Sequence, residues 1–248
     1  MKVIIGTIFI VILCSSFSHV NSKLPSYVQV CSRYDPQISD CIINSIRHLQ
    51  PYLVNGMKEL DVPPAEPFFI KSLAYGNDRS VKVALTNVYI RGISGFRIEK
   101  LRTNFENIKI DVIASFPRLE IRSKYKLILS LLGAPITSDG DLLASFENAK
   151  ARIGLKAQKY LRNGVEYIKF EPILLKINIG KVQTLKLSNL FNGNPVLSEV
   201  VHAILVSNSD FLLNDFYPHI EKSLSESFTD IANKITKEAT FNELFPLN

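Results

Sequence analysis

The chain has 248 residues, of which 46% are hydrophobic and 21% charged, with a formal net charge of +6 at pH 7. That apolar share supports a sizeable core and excludes a disordered chain. The positive charge is mild and interspersed with carboxylates, which reads as solvated surface. With no recognised binding motif in the sequence, it argues against a nucleic-acid partner.

The N-terminus carries Lys2, the apolar run VIIGTIFIVIL (3–13) and the polar stretch Cys14 to Ser22. Val20 and Ser22 are small enough for the −3 and −1 positions of a cleavage site, so residues 1–22 are predicted to be a signal peptide and 23–248 a single domain. The run is too short to span a bilayer, and nothing later reaches the ~18 apolar residues that a span needs. A secreted, extracellular protein without stable membrane insertion is expected. Cys14 leaves with the leader, so Cys31 and Cys41 remain in an oxidising compartment, where a disulfide is the default. With only His48 nearby they cannot supply the four ligands of structural zinc, and neither metal nor cofactor is expected.

Residues 35–57 are predicted to be helical. Asp35-Pro36 and Ser39 offer starts, Ile38, Ile42, Ile46, Leu49, Leu53 and Met57 recur on one face, and Pro51 bends the helix or ends it early. The segment DVPPAEPFF (61–69) is an extended connector. From 68 to 188 the period becomes two. FFIKSLAYG and SVKVALTNVYI flank a turn at Gly76-Asn77-Asp78. NIKIDVIASF places Ile108, Ile110, Val112, Ala114 and Phe116 on one face, and Pro117 marks a corner.

FPRLEIRSKYKLILSLLG (116–133) alternates almost without fault. Leu119, Ile121, Ser123, Tyr125, Leu127, Leu129 and Leu131 share a dry face, while Arg118, Glu120, Arg122, Lys124 and Lys126 share a wet one. At about 3.3 Å per residue, 119–131 spans roughly 40 Å. AKARIGLKA turns Ala149, Ala151, Ile153, Leu155 and Ala157 inward, and Asn163-Gly164 is a strong hairpin signal leading into VEYIKFEPILLKINI.

The last fifty residues become helical. Pro195 opens a stretch carrying Leu197, Val200, Val201, Ile204 and Leu205. A second stretch, 211–237, carries Leu213, Phe216, Ile220, Leu224, Phe228, Ile231 and Ile235, with Lys222, Ser223, Ser225, Glu226, Asn233 and Lys234 expected to face outward. At 1.5 Å per residue it is roughly 40 Å long, a match to the long strands. The pattern predicts an α+β fold in which a long amphipathic helix covers the dry face of a curved antiparallel sheet. The dry face is wider than the helix stripe, so either the sheet closes tightly or it leaves an apolar tunnel.

Catalytic candidates are few. His48, His202 and His219 all fall on predicted helices. Gly92-Ile93-Ser94-Gly95 lacks the nucleophile-elbow spacing because residue 96 is Phe. There is no HExxH, P-loop or GxGxxG, so no catalytic residue is expected.

Cys31-x9-Cys41 is followed by IINSIRHLQPYLVNGMKELDVPPAEPFFI, and the C-terminal part reads LSNLFNGNPVLSEVVHAILVSNSDFLLNDFYPHIEKSLSESFTDIANKITKEATFNELFP. These stretches, with RGISGFRIEKLRTNF (91–105) between them, resemble the signature regions of the insect takeout and juvenile-hormone-binding protein family. The resemblance covers essentially all of residues 23–248. It implies a long helix wrapped by a highly curved sheet around an apolar tunnel, with a shorter N-terminal helix. It also implies a secreted carrier of juvenile hormone, another terpenoid or a long-chain lipid, linked to circadian, feeding or chemosensory physiology. The family's Cys pair falls on Cys31 and Cys41. The chain has no cysteines for the second disulfide shared by the haemolymph hormone carriers, which favours the takeout branch.

On this reading the ligand-binding residues are Val83, Leu85, Ile110, Val112, Leu127, Leu129, Ile153, Leu155, Leu175 and Ile177 from the strands, and Phe216, Ile220 and Phe228 from the long helix. The expected partner is one elongated hydrophobic small molecule. The alternative is a lipid-surface recognition protein acting on anionic membranes or microbial lipid, which requires positive charge clustered at one end of the molecule.

Overall fold

A computed structural model describes residues 24–76, 81–131, 134–195, 198–199 and 209–247. The predicted leader, the turn tip after Gly76 and most of the predicted helix after Pro195, including Leu197, Val200, Val201, His202, Ile204 and Leu205, lie outside the described residues.

Among the described residues the predicted alternation forms one eight-stranded antiparallel sheet. Its strands are β1 (Phe68–Gly76), β2 (Val81–Arg91), β3 (Arg97–Asn104), β4 (Lys109–Leu131), β5 (Ala134–Arg162), β6 (Val165–Phe170), β7 (Leu174–Asn178) and β8 (Lys181–Leu187). The 23-residue β4 and 29-residue β5 pair from Lys109↔Lys156 to Leu131↔Ala134 and form the spine. β2 and β3 share the free side of β4, β6, β7 and β8 share the free side of β5, and β1 extends the sheet beyond β2. The hairpin at Asn163-Gly164 is as predicted. Both residues have positive φ (54° and 78°), and Arg162 faces Val165 directly, as a two-residue loop of mirror-turn type requires.

The predicted corner at Pro117 takes a different form. β4 runs through it unbroken, but its inward positions are even up to Phe116 and odd from Leu119 onward. In β5 the same change of phase falls at Asn148, the residue opposite Pro117, which has φ 57°. A left-handed residue turns the peptide plane and restarts the alternation, while proline has no N–H to hold the ladder straight. Asn87 (φ 52°) does the same in β2, where the pairing with β4 shifts between Thr86 and Tyr89. These irregularities bend the long strands, and the sheet curls.

The first helix, α1 (Ile38–Asn55), is shorter than the predicted 35–57 and passes through Pro51 without ending there. It lies on β3 and on a 3-10 turn at Ile93–Gly95, where the Gln50 amide donates to the carbonyls of Ser94 and Phe96. Cys31 and Cys41 form the predicted disulfide, with Cα atoms 6.0 Å apart, joining the N-terminal segment to α1.

The second helix, α2 (Ser209–Glu238), has 30 residues, about 45 Å at 1.5 Å each. It packs on β6 and β7 at one margin of the sheet and on β1 at the other. The helix therefore bridges the two margins and turns a curled sheet into a tube. A short helix, α3 (Phe241–Leu244), follows, its start held by a capping box between Thr240 and Glu243.

The contact of α2 with β7 corrects one expectation. Ser225 and Asn233 do not face outward. Tyr217, Glu221, Ser225, Thr229 and Asn233 recur every four residues, and so lie along one stripe of the helix. Together they engage the free backbone edge from Phe170 to Ile179. Tyr217 Oη accepts from Ile179 N (3.3 Å), Glu221 Oε1 from Ile177 N (3.0 Å) and Thr229 Oγ1 from Ile173 N (3.0 Å). Ser225 Oγ donates to Ile173 O, and Asn233 both accepts from Phe170 N (2.7 Å) and donates to Phe170 O (3.2 Å). An edge strand that would otherwise leave its N–H groups unpaired is satisfied by helix side chains.

Candidate functional site

The inner face of the curled sheet, roofed by α2, is the candidate site. Its filling is uneven. One packed cluster holds Phe68, Ile70, Val88 and Ile90 against Leu224, Phe228 and Ile231 of α2, with the Phe68 and Phe228 rings 5.6 Å apart. A second gathers Ile108, Ala157, Ile168 and Phe241 at the α3 end. A third gathers Tyr125, Leu127, Leu190 and Phe191 at the other end of β4, where the 3-10 turn Leu190–Gly193 folds inward. A pocket of about 450 Å³ lies beside that turn, lined by residues that include Leu185, Leu187, Leu190 and Ser198.

Cross-strand register sorts the predicted lining residues into two groups. Ile110 faces Leu155, Val112 faces Ile153, and Ile153 faces Leu175 in turn, so these form rows across β4, β5 and β7, with Ile177 opposite Ala151 beside them. Val83 faces Leu127 and Leu85 faces Tyr125 in the other half of the tube. Leu127 and Leu175 are buried, and Val83, Leu85 and Phe228 pack against the clusters just named. Ile110, Val112, Ile153, Leu155, Ile177 and Ile220 belong to none of these clusters and are only half-buried, although the strand positions point inward. The side chains of Leu129 and Phe216 lie outside the described residues.

Polar groups at the ends of this face are structural. The buried Tyr125 hydroxyl lies 3.0 Å from Ser138 Oγ and donates to Ser188 O (2.9 Å), while Ser138 Oγ accepts from Phe191 N (3.0 Å). Burial pushes the Tyr125 phenol pKa above its usual 10.0, with the nearby Asp139 charge adding to the rise and the Ser138 hydrogen bond opposing it. Ser94 is also structural. Glu66 accepts from Gly92 N, Ser94 N and Ser94 Oγ, so the hydroxyl caps a turn and faces a carboxylate instead of an imidazole. Among the described residues no group of three or more metal-ligating side chains occurs.

The outer face carries spread charge. Lys124 pairs with Asp141, Lys150 with Glu99, Lys156 with Glu171 and Lys159 with Glu166. Among the described residues no helix is long and apolar enough to cross a membrane.

The family model described as "Haemolymph juvenile hormone binding protein (JHBP)" matches residues 8–246. The chain belongs to this family. Within it, the chain is 24% identical to the circadian clock-controlled protein daywake of Drosophila melanogaster over 236 residues, covering 89% of this chain and 88% of that protein. The Drosophila yakuba daywake is also 24% identical, over 250 aligned residues and 94% of each chain. Among solved structures, Takeout 1 of Epiphyas postvittana superposes with a TM-score of 0.74 at 20% identity, over 88% of this chain and 99% of that one. The juvenile-hormone-binding-protein fold accounts for the curled sheet, the helix that closes it and the shorter N-terminal helix, as the sequence resemblance implies.

Two features of the site were not anticipated. The stripe of Tyr217, Glu221, Ser225, Thr229 and Asn233 was readable in principle as a hydrogen-bonding residue every fourth position, a second helix face beside the apolar one. The Leu190–Phe191 turn carries no such signal. Its burial depends on where β8 delivers it.

Proposed function

We propose that the protein is a secreted carrier that binds one elongated hydrophobic molecule inside the tube and releases it unchanged. The observation that carries this reading is the set of six inward apolar residues, Ile110, Val112, Ile153, Leu155, Ile177 and Ile220, which remain half-buried between packed clusters. Val83, Leu85 and Phe228 are half-buried too but pack against the clusters, whereas these six belong to none of them, and an inward apolar face without such partners gains from being covered by an apolar ligand. Family membership and the takeout-type fold support the same reading. Residues 1–22 serve as the leader that directs 23–248 out of the cell. The ligand classes are terpenoids such as juvenile hormone and other long-chain lipids. The clock-controlled relatives favour a takeout-like role in circadian, feeding or chemosensory physiology.

Covering on the order of 400 Å² of ligand apolar surface contributes roughly 10 kcal/mol at about 25 cal/mol per Å². Association costs on the order of 4–15 kcal/mol, so apolar burial can carry much of the affinity. One methylene is worth about 1–3 kcal/mol, so discrimination is mainly by length and girth. Recognition of an anionic lipid surface would need unpaired positive charge gathered at one end, and the lysine–carboxylate pairs spread along the strands do not favour it.

The test is thermal unfolding of delipidated protein against terpenoids, fatty acids and quinones of graded length. A ligand at 100 times its dissociation constant adds about 2.7 kcal/mol of stability. A length optimum with intact ligand recovered by extraction is expected. Chemical turnover, or no shift with any lipid, would overturn the carrier assignment.

A further inference from the structure

Ion pairing on the outer face is uneven. In one half, Arg118 and Lys124 meet Glu120 and Asp141. In the other, where β3, β4, β5 and β7 lie side by side, the register sets cations in rows. Arg97 stands opposite Ser115, Lys100 opposite Ile113 and Arg102 opposite Asp111. Arg152 of β5 also stands opposite Ile113, with Lys176 of β7 beyond it. Cross-strand partners share a face, so these cations all project outward, and all are exposed. Lys176 is held by Glu221, but among the described residues Arg97, Lys100, Arg102 and Arg152 form no ion pair. With strands about 5 Å apart and alternate residues about 7 Å apart, the four charges are rooted within roughly 15 Å of one another. Among the described residues of these rows Asp111 is the only carboxylate.

At the Arg97 end the rows run into a cavity of about 570 Å³ between α1 and β3, lined by residues that include Arg47, Gln50, Arg97, Glu99 and Ser115. The Gln50 amide is committed to the Ser94 and Phe96 carbonyls and Glu99 to Lys150. Arg47 makes one long hydrogen bond, 3.4 Å, to Asn44 Oδ1. Two guanidinium groups and a hydroxyl thus border one cavity that continues the basic face.

Like charges held this close repel one another, and a polyanion laid among them relieves the repulsion. A guanidinium fork meets the oxygens of an anionic group in pairs. The surface is the convex flank of a curled sheet, so a flat bilayer would touch only its crest, whereas a flexible chain follows the curve. It also lacks the apolar centre of a protein–protein interface, since Ile113 within it is half-buried. Leu174, 76% exposed, stands at its margin opposite Gly154. Resting on the reading of the protein as secreted, we propose that this face binds a sulfated polysaccharide. One anionic group enters the Arg47–Arg97 cavity, and the following ones lie over Lys100, Arg152 and Arg102. The site is outside the tube, so it holds the carrier at a cell surface or matrix without competing for the cargo.

The experiment measures dissociation constants of the purified protein for a heparin octasaccharide, the same sugar desulfated, polyglutamate, and vesicles of phosphatidylcholine and phosphatidylserine. Physiological salt is used, where the screening length is about 8 Å and only close charge contacts survive. The sulfated octasaccharide is expected to bind most tightly. Lys100→Gln/Arg152→Gln and Arg47→Gln/Arg97→Gln are each expected to weaken it about three- to tenfold, the worth of two exposed charge contacts. Lys126→Gln removes the same kind of charge from the other half of the outer face, opposite Asp139, and is expected to change it less than about twofold. Equal weakening by Lys126→Gln, equal binding of the desulfated sugar, tighter binding of polyglutamate, or no binding at all would each overturn the proposal and leave the carrier reading intact. Vesicle binding that Leu174→Ser abolishes would assign the face to a bilayer and overturn it too. Failure of the chain to reach the medium of expressing insect cells would sink the secretion reading, and this partner with it, whatever the affinities.

Discussion

Replacing Asn233 by Ala tests the contact that closes the tube. Asn233 accepts from Phe170 N at 2.7 Å and donates to Phe170 O at 3.2 Å, so it stands in for the neighbouring strand that this edge lacks. Each net hydrogen bond contributes about 1 kcal/mol, and the truncation leaves a partly buried N–H and C=O without their partner. The expected loss is therefore about 2 kcal/mol, or roughly 4–8 °C in melting temperature for a chain of this size. Lys234→Ala is the internal control. The next residue along the helix pairs with Asp61 across an exposed surface (55% and 76% side-chain exposure), and such pairs contribute about 0–1 kcal/mol. Urea unfolding of the two variants and the wild type, with slopes compared to confirm that the unfolded states match, gives both numbers. Thr229→Val, which keeps shape and removes the acceptor for Ile173 N, is expected to fall between them. If Asn233→Ala costs no more than Lys234→Ala, Asn233 does not help the helix hold the end of β6, and that part of the tube must be closed by apolar contact.

Intact-mass analysis with and without reduction before alkylation is expected to find no free thiols at Cys31 and Cys41, and Cys31→Ser to lower stability by about 2 kcal/mol without loss of fold. On β4, Leu127→Ala is expected to cost roughly 2–4 kcal/mol because it opens a cavity beside Tyr125, Leu190 and Phe191, whereas Lys124→Ala stays within about 0.5 kcal/mol; equal effects in chemical denaturation would refute the register. At Gly92 (φ 93°) a Cβ would lie 2.1 Å from Arg118 O, so Gly92→Ala is expected to cut soluble yield sharply while Gly95→Ala, with nothing within 4 Å, does not. The folded protein raises the Tyr125 pKa, so above pH 10 the unfolded chain ionises first and stability falls as pH rises; the wild-type advantage over Tyr125→Phe in denaturation midpoint is therefore expected to be full below pH 10 and to shrink above it.

Much of this architecture was legible without coordinates because its signals are local. Alternation of Leu119, Ile121, Tyr125 and Leu127 with Arg118, Arg122, Lys124 and Lys126 needs only the two-residue repeat of a strand, and the burial along β4 follows it. Asn163-Gly164 selects its own turn through two positive φ angles, and Cys31 and Cys41, the two cysteines left once the predicted leader is removed, pair by default in an oxidising compartment. The apolar stripe from Ile220 to Ile235 likewise announces a helix of the right length. What the residues alone left open depended on contacts between distant segments. Ser225 and Asn233 read as solvent-facing because a polar side chain on a helix usually meets water; only the arrival of the free edge that runs from the end of β6 into β7 turns that stripe into a second buried contact. The phase change at Pro117 needs Asn148, some thirty residues away, to be its cross-strand neighbour. Whether an inward leucine or isoleucine packs or lines a space is likewise a matter of tertiary geometry. Leu127 and Ile110 share the same strand and the same apolar chemistry, yet the Leu190–Phe191 turn fills the space beside one and leaves the other half-buried.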